Sequence, residues 1–282
     1  MRRLLATALL PYAKLRNTLS PGLRVLMYHR VADLPTYDQL TVSPARFAQQ
    51  MQELSRHDVV SLEAGLRAIQ AGPLRQPLFA VTFDDGYLDN LNEALPILQR
   101  YRIPATIFVT TQFCDQALSH PRYGSQPAER LHLNWDEVGT LAQSPGITIG
   151  SHTRSHPYLP TVSDALAQQE ITASRAEIVA HLNKPVEYFC YPSGDLSPRE
   201  LQLVRQAGYA AAVSVAPGVN RQGVDVFQLK RTEITDRDDL SQFRLKIAGA
   251  FDPIHHLLHA RRTRRFARKH LKPSASFEAT TP

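Results

Sequence analysis

Two short clusters hold the side chains that could do chemistry: Thr82-Phe83-Asp84-Asp85-Gly86 and, 66 residues after Gly86, His152-Thr153-Arg154-Ser155-His156. Adjacent carboxylates and a histidine pair four apart supply three metal ligands and one spare acid/base group. That is the inventory of metal-assisted hydrolysis. A divalent ion such as zinc takes nitrogen and oxygen ligands, and a catalytic site keeps one position open for water. The ion acidifies that water, and a neighbouring carboxylate can take its proton. Each cluster alone has a bland reading. Asp-Asp-Gly favours a turn, and His-x-x-x-His fits a surface helix face or a capped loop. Found together, each at the end of an apolar run, they point to a metal site.

Those runs are the elements that must position the clusters. Leu78 to Phe83 reads as a buried strand leading into Asp84, and Ile147 to Ser151 as a second ending at His152. Tyr188 to Tyr191 is a third, ending at Pro192-Ser193-Gly194. Leu23 to Tyr28 and Ala105 to Val109 read the same way, with a short strand at Val59 to Ser61. Helical periodicity separates them at Leu62 to Ala71, Asp136 to Gln143 and Ser163 to Leu182. Ser43-Pro44 marks a helix start, running to about Arg56. Leu88 to Arg100 reads as a helix kinked by Pro96. Strands alternating with helices predict a parallel sheet or barrel, whose chemistry gathers at the C-terminal strand ends. His120 to Arg130 reads as a loop insertion bordering a groove, and the chain from about Ser274 as disordered.

The motifs resemble those of the polysaccharide deacetylase (NodB-homology) family. The matching residues are Thr82-Phe83-Asp84-Asp85-Gly86, Ser151-His152-Thr153-Arg154-Ser155-His156-Pro157 and the weaker Phe189-Cys190-Tyr191-Pro192-Ser193-Gly194. Val25-Leu26-Met27-Tyr28-His29-Arg30-Val31 is similar to the first strand of the branch that includes poly-N-acetylglucosamine deacetylases. The likeness covers roughly residues 24 to 235. It implies a distorted (β/α) barrel of the NodB-homology type and one catalytic domain over 23–250. It also implies one divalent metal on Asp85, His152 and His156, with Asp84 as general base. Zinc leads, and cobalt, nickel or manganese suit the same donors. The backbone N–H of Ser193 would steady the developing oxyanion. Tyr191 is either a pocket wall or a strand-end aromatic, and Trp135 reads as packing at a helix start rather than a sugar platform.

Two departures from the family pattern stand out. Cys190 lies near the place of an Arg that commonly pairs with the base, and Leu229-Lys230-Arg231 replaces the late Leu-x-His that protonates the departing amine. An Arg cannot act as an acid, since its pKa exceeds about 12. The expectation is that Arg231 restores a cation beside Asp84 and that His29, following its own strand, supplies or relays the proton. The implied function is removal of N-acetyl groups from amino sugars of a bacterial surface polysaccharide, exopolysaccharide or lipid-linked precursor. O-deacetylation, or glycan or membrane binding without turnover, are the alternatives.

Composition bounds this reading. A chain of 282 residues, 43% hydrophobic and 21% charged, suits one barrel with a full core. Cys114 and Cys190 make neither a disulfide framework nor a metal spacing. Residues 253–282 hold seven basic side chains and one acidic, and so carry the whole net charge of +6. This basic tail, set from residue 251, is centred on Arg261 to His270. It reads as solvated or as binding an anionic membrane, with nucleic acid last because aromatic residues are scarce there. Residues 1–22 read better as an amphipathic segment on a membrane face than as a cleaved signal. The expected location is cytoplasmic or peripheral to the inner membrane.

Overall fold

A computed structural model of the chain describes residues 2–123, 130–194 and 196–270. The chain opens with α1 (Arg2–Leu19), β1 (Leu23–Tyr28), β2 (Arg30–Val31), β3 (Thr41–Val42), α2 (Pro44–Leu54), β4 (Asp58–Val59) and α3 (Leu62–Ala71). Next come β5 (Leu78–Phe83), α4 (Leu95–Tyr101), β6 (Ala105–Val109), α5 (Thr111–Cys114), α6 (Trp135–Gln143) and β7 (Ile147–Ser151). The last part holds α7 (Asp164–Leu182), β8 (Tyr188–Cys190), α8 (Pro198–Gln206), β9 (Ala211–Val213), β10 (Arg231–Glu233), α9 (Leu240–Ile247) and α10 (Asp252–His270).

Every position of β1, β6 and β8 is buried, as parallel strands covered on both faces require. The order is β10-β1-β5-β6-β7-β8-β9, all parallel, with β4 also paired to β5. Just ahead of β10, Leu229 N–H donates to Ala212 (3.0 Å), Ser214 N–H to Leu229 (2.9 Å) and Arg231 N–H to Ala216 (2.8 Å). Those bonds tie β9 to the strand that pairs with β1. The sheet is a nearly closed (β/α) barrel, as expected.

The period-2 alternation of side chains sorts the core into two files. Val25, Ala80, Phe108, Cys190, Val213 and Leu229 share one cluster with Leu62, Leu66 and Ile69 of α3. Leu26, Val81, Phe83, Ile107, Ile149, Phe189 and Ala212 lie in the other cluster, with apolar residues of the surrounding helices. Thr82 and Asp84 fall on the file of Ala80, and Arg231 on that of Leu229. Alternation therefore aims them together.

Five differences from the sequence reading have local causes. The helix expected at Leu88 to Arg100 splits into a π-helical turn, Asn90–Ala94, and α4. Pro96 lacks an N–H and collides with the preceding turn, so the regular helix starts at its doorstep rather than bending around it. The strand expected at Val59 to Ser61 is shorter and earlier, with Val60 N–H donating to Phe79 (2.8 Å). The third apolar run stops at Cys190, one residue before Tyr191. The helix from Ser43 ends at Leu54.

The fifth concerns the basic tail, whose first residues are packed. Asp252 accepts two bonds from Arg24 (3.0 and 2.9 Å), both side chains being buried. Phe251 and Ile254 pack with Ala6 and Ala13 of α1. A boundary at residue 251 thus cuts through core. Residues 271–282, including the stretch from Ser274, lie outside the described residues, as do residues 124–129 of the expected insertion.

Candidate active site

Asp84 leaves β5 with its N–H bonded to Tyr28 (3.0 Å), which holds the ends of β1 and β5 level. Asp85 and Gly86 then take left-handed φ of 70° and 64°, swinging the second carboxylate away from the first. Four of the seven non-glycine residues with positive φ among the described residues are Asp85, Thr153, His156 and Ser193. Such backbone costs roughly 1–3 kcal/mol per residue and persists where surroundings impose it. Its concentration in these motifs is what a working site would show.

His152 follows β7 with its N–H bonded to Val109 (2.9 Å). Its Nδ1 lies 2.8 Å from the Cys190 carbonyl oxygen, which needs a donor there, so Nε2 is the nitrogen that faces Asp85. The His-x-x-x-His segment is a loop, not a helix face. Glu170 of α7 holds it, accepting from the N–H groups of Arg154 (2.8 Å) and Ser155 (2.9 Å) and from the Ser155 hydroxyl (2.7 Å). His156 N–H donates to Thr153 Oγ1 (3.1 Å), completing the turn that brings the second imidazole back.

The ring nitrogens converge on one oxygen. Asp85 Oδ1 lies 3.3 Å from His152 Nε2 and 3.4 Å from His156 Nε2. Donors about 2.0–2.1 Å from a tetrahedral ion are themselves about 3.3–3.4 Å apart. Asp85 Oδ1 is also buried without a hydrogen-bond partner. A buried carboxylate oxygen left unbonded is costly, and a cation at this point would satisfy it. Burial pushes His156 down to about 4, against the pull of Asp85, so its lone pair is available at neutral pH. The residues present fit a divalent ion.

Asp84 is provided for differently. Arg231 donates from Nη1 to Asp84 Oδ1 and from Nη2 to Oδ2, both at 2.7 Å, a bidentate pair closed to solvent. The same guanidinium reaches Cys190 Sγ (3.2 Å), Thr82 Oγ1 (3.2 Å) and the Ser214 carbonyl (2.8 Å). Asp84, His152 and Cys190 also cluster as metal donors could, but Arg231 already fills that space with positive charge. Burial would raise the Asp84 carboxyl, yet the charge and hydrogen bonds of Arg231 outweigh it and hold it below its ordinary value. His29 Nε2 stands 3.9 Å from Asp84 Oδ2, its backbone pinned by Asn90 Nδ2 on its carbonyl (2.8 Å).

The third motif forms a tight turn. Ser193 has φ 58°, and its carbonyl accepts from Arg262 of α10 (2.8 Å). Gly194, at φ 66°, is required, because a Cβ there would come within 2.3 Å of Val215. Tyr191, for which two readings were open, follows directly on the end of β8. The ring is buried edge-on to Phe189 and its hydroxyl donates to the Phe227 carbonyl (3.1 Å). Trp135 stacks on His181 at 3.8 Å and donates to Asp115 (2.5 Å), so it packs.

Sequence reasoning missed His120 and His132. His120 Nε2 lies 3.9 Å from Asp85 Oδ2 and its ring 5.0 Å from that of His156. His132, held between Tyr87 and Phe113 at 4.7 and 4.4 Å, accepts the His120 N–H (3.2 Å) and fixes where that loop enters the site. Only the chemistry of the loop, two histidines flanking a polar insertion, could have hinted at this.

The polysaccharide deacetylase family profile matches residues 71–212, half of the chain. That span holds Asp84, Asp85, His152 and His156 and stops short of both His29 and Arg231. The Bacillus subtilis protein YxkH is 27% identical over 216 residues, covering 76% of this chain and 71% of its own length. The Staphylococcus aureus poly-beta-1,6-N-acetyl-D-glucosamine N-deacetylase is 24% identical over 213 residues, covering 70% of this chain and 68% of its own. In fold, the Streptococcus pyogenes deacetylase PplD, solved with acetate, matches with a TM-score of 0.70 at 24% identity, over 81% of this chain and 99% of that one. A barrel of the same architecture and family motifs meeting at one centre lead to one assignment: this chain belongs to the polysaccharide deacetylase family, a family of deacetylating hydrolases.

Proposed function

We propose that the chain is a metal-dependent N-deacetylase acting on amino sugars of a bacterial surface polysaccharide, exopolysaccharide or lipid-linked precursor. One observation carries this: Asp85 Oδ1 is buried, unbonded and 3.3–3.4 Å from two imidazole nitrogens, while Asp84 beside it is locked to Arg231. The substrate class takes support from the similarity to the Staphylococcus aureus N-deacetylase. Asp85, His152 and His156 would hold one divalent ion, zinc first among those that suit this donor set. When bound, that ion supplies polarisation of the acetyl carbonyl and a more acidic water.

The chain's own groups do the rest. Asp84, ionised and held by Arg231, accepts the proton of the attacking water as its oxygen bonds to the acetyl carbon. The negative charge that grows on the carbonyl oxygen is met by the backbone N–H of Ser193, aimed by the Pro192-Ser193-Gly194 turn. The carbon–nitrogen bond then breaks, His29 gives a proton to the departing nitrogen, and acetate and the free amine leave. Arg231 has no part in that transfer, because it stays charged. Its place is to orient Asp84 and keep it ionised. Replacing His29 with Ala is expected to lower kcat by about 10²–10⁴-fold with metal content unchanged by elemental analysis; near-normal turnover would remove it from the mechanism.

The late position held by Arg231 gives a second reading some footing. An acetate ester has a better leaving group than an amide and needs no strong acid, so O-deacetylation would tolerate the missing late histidine. Assaying N-acetylglucosamine oligomers and O-acetylated sugars side by side separates the two. Preference for the amide supports the proposal, and turnover confined to the ester overturns it. A location in the cytoplasm or peripheral to the inner membrane belongs to the same proposal.

A further inference from the structure

Helix α1 has two faces. At 3.6 residues per turn, Ala6, Leu10, Ala13 and Asn17 share one side. That side is packed. Ala6 and Ala13 lie against Leu245, Ala250 and Phe251, and Asn17 Nδ2 donates to the Ala248 carbonyl (2.9 Å). Arg3 adds contacts to Asp239 (3.3 Å) and Ser241 (2.7 Å). The helix is therefore part of the folded body.

The opposite side carries Leu4, Leu5, Tyr12, Leu15 and Leu19, with exposures of 76, 52, 56, 58 and 75%. Folded domains rarely leave such a row of large apolar side chains in water without a partner for it. Arg16 flanks the row on one edge, with Arg2 beyond it, and Lys14 lies on the other; residues 2–19 contain no Asp or Glu. The neighbouring helix adds to this charge. Packed against α1 at its start, α10 exposes Arg261, Arg264 and Arg265, and its one acid, Asp252, is bound to Arg24.

We propose that this outer face of α1 lies in the headgroup region of an anionic lipid bilayer. An apolar stripe edged by cations is the pattern of a helix lying in a membrane interface. None of the described helices is long and apolar enough to cross a membrane, so the helix lies on the surface. Charge decides between lipid and a second copy of this chain. Pairing two such faces would bring Lys14 and Arg16 of each copy against those of the other, and α1 itself holds no carboxylate to offset them, whereas anionic headgroups neutralise them. Arg2, in the first turn of α1, also lines a cleft of about 260 Å³ together with Arg231, Glu233 and Arg262. The inference stands apart from the deacetylase reading, because its test needs no turnover.

The test is sedimentation of the full chain with vesicles of phosphatidylglycerol and phosphatidylcholine in roughly equal parts, and with phosphatidylcholine alone. The chain should pellet with the anionic vesicles, less so at raised salt. Replacing Leu4, Leu15 and Leu19 together with Gln should weaken partition by at least about tenfold, since each buried leucine contributes that much or more. These side chains touch little of the body, so the thermal midpoint should hold. No pelleting with anionic vesicles, or equal pelleting of the triple variant, overturns the proposal. So does a dimer of the wild type that the triple variant abolishes without any vesicle binding, which would assign the face to a second copy.

Discussion

Asp84→Asn is expected to lower kcat by about 10²–10⁴-fold, the usual worth of a positioned general base. The substitution keeps the side chain's size. Its amide oxygen can still accept one of the two Arg231 bonds now at 2.7 Å, so the geometry around Arg231 should persist. What is lost is the ability to take a proton. Asp85, His152 and His156 are untouched, so zinc binding by calorimetry should stay at one equivalent. Turnover close to wild type would mean that another group accepts the proton. Loss of zinc binding would mean that Asp84, not Asp85 alone, belongs to the ligand set.

Arg231→Met should have the largest effect on stability, about 3–5 kcal/mol, because it leaves a buried carboxylate without its counter-charge. The guanidinium makes bonds to Asp84, Thr82, Cys190 and the Ser214 carbonyl and is closed to solvent. Methionine fills part of the volume and meets none of these needs. The sign with pH follows from the direction of the Asp84 shift. In the wild type its carboxyl lies below the ordinary value, so the pair contributes stability above the unfolded pKa and loses it as pH falls through the folded one. In the variant, burial works without Arg231 against it and the carboxyl rises. The gap between wild type and variant should therefore be widest at neutral pH. It should close as pH falls from the variant's raised value to the wild type's lowered one.

Urea unfolding at neutral and acid pH measures that gap, and a gap that widens toward acid would refute the assignment. Combining Asp84→Asn with Arg231→Met should cost less than the sum of the single changes, since each removes the other's unpaired partner.

Much of this site was readable before the fold was known, and the reasons are local. Leu78 to Phe83 is apolar and β-branched because both faces of β5 are covered, and that pattern delivers Asp84 and Asp85 to the strand end. Arg231 could be read as a replacement cation because the resemblance puts a customary Arg near Cys190, and Arg231 lies 3.2 Å from the Cys190 sulfur. Other features depend on contacts far apart in sequence. His120 reaches Asp85 only because His132 is wedged between Tyr87 and Phe113. No periodicity announces such a position. Tyr191 could have faced substrate or core from its sequence alone, and its contacts with Phe189 and the Phe227 carbonyl come from distant strand and loop placement. The basic stretch read as a tail starts inside the body because Asp252 meets Arg24, 228 residues away.

The most direct test is zinc titration of the metal-stripped protein, followed by acetate release from N-acetylglucosamine oligomers. Release should be absent after stripping and return with one equivalent of zinc, with Asp85→Ala failing to recover at the same loading. Acetate release that survives stripping, or that Asp85→Ala regains with one equivalent, would contradict a deacetylase centre built on Asp85, His152 and His156.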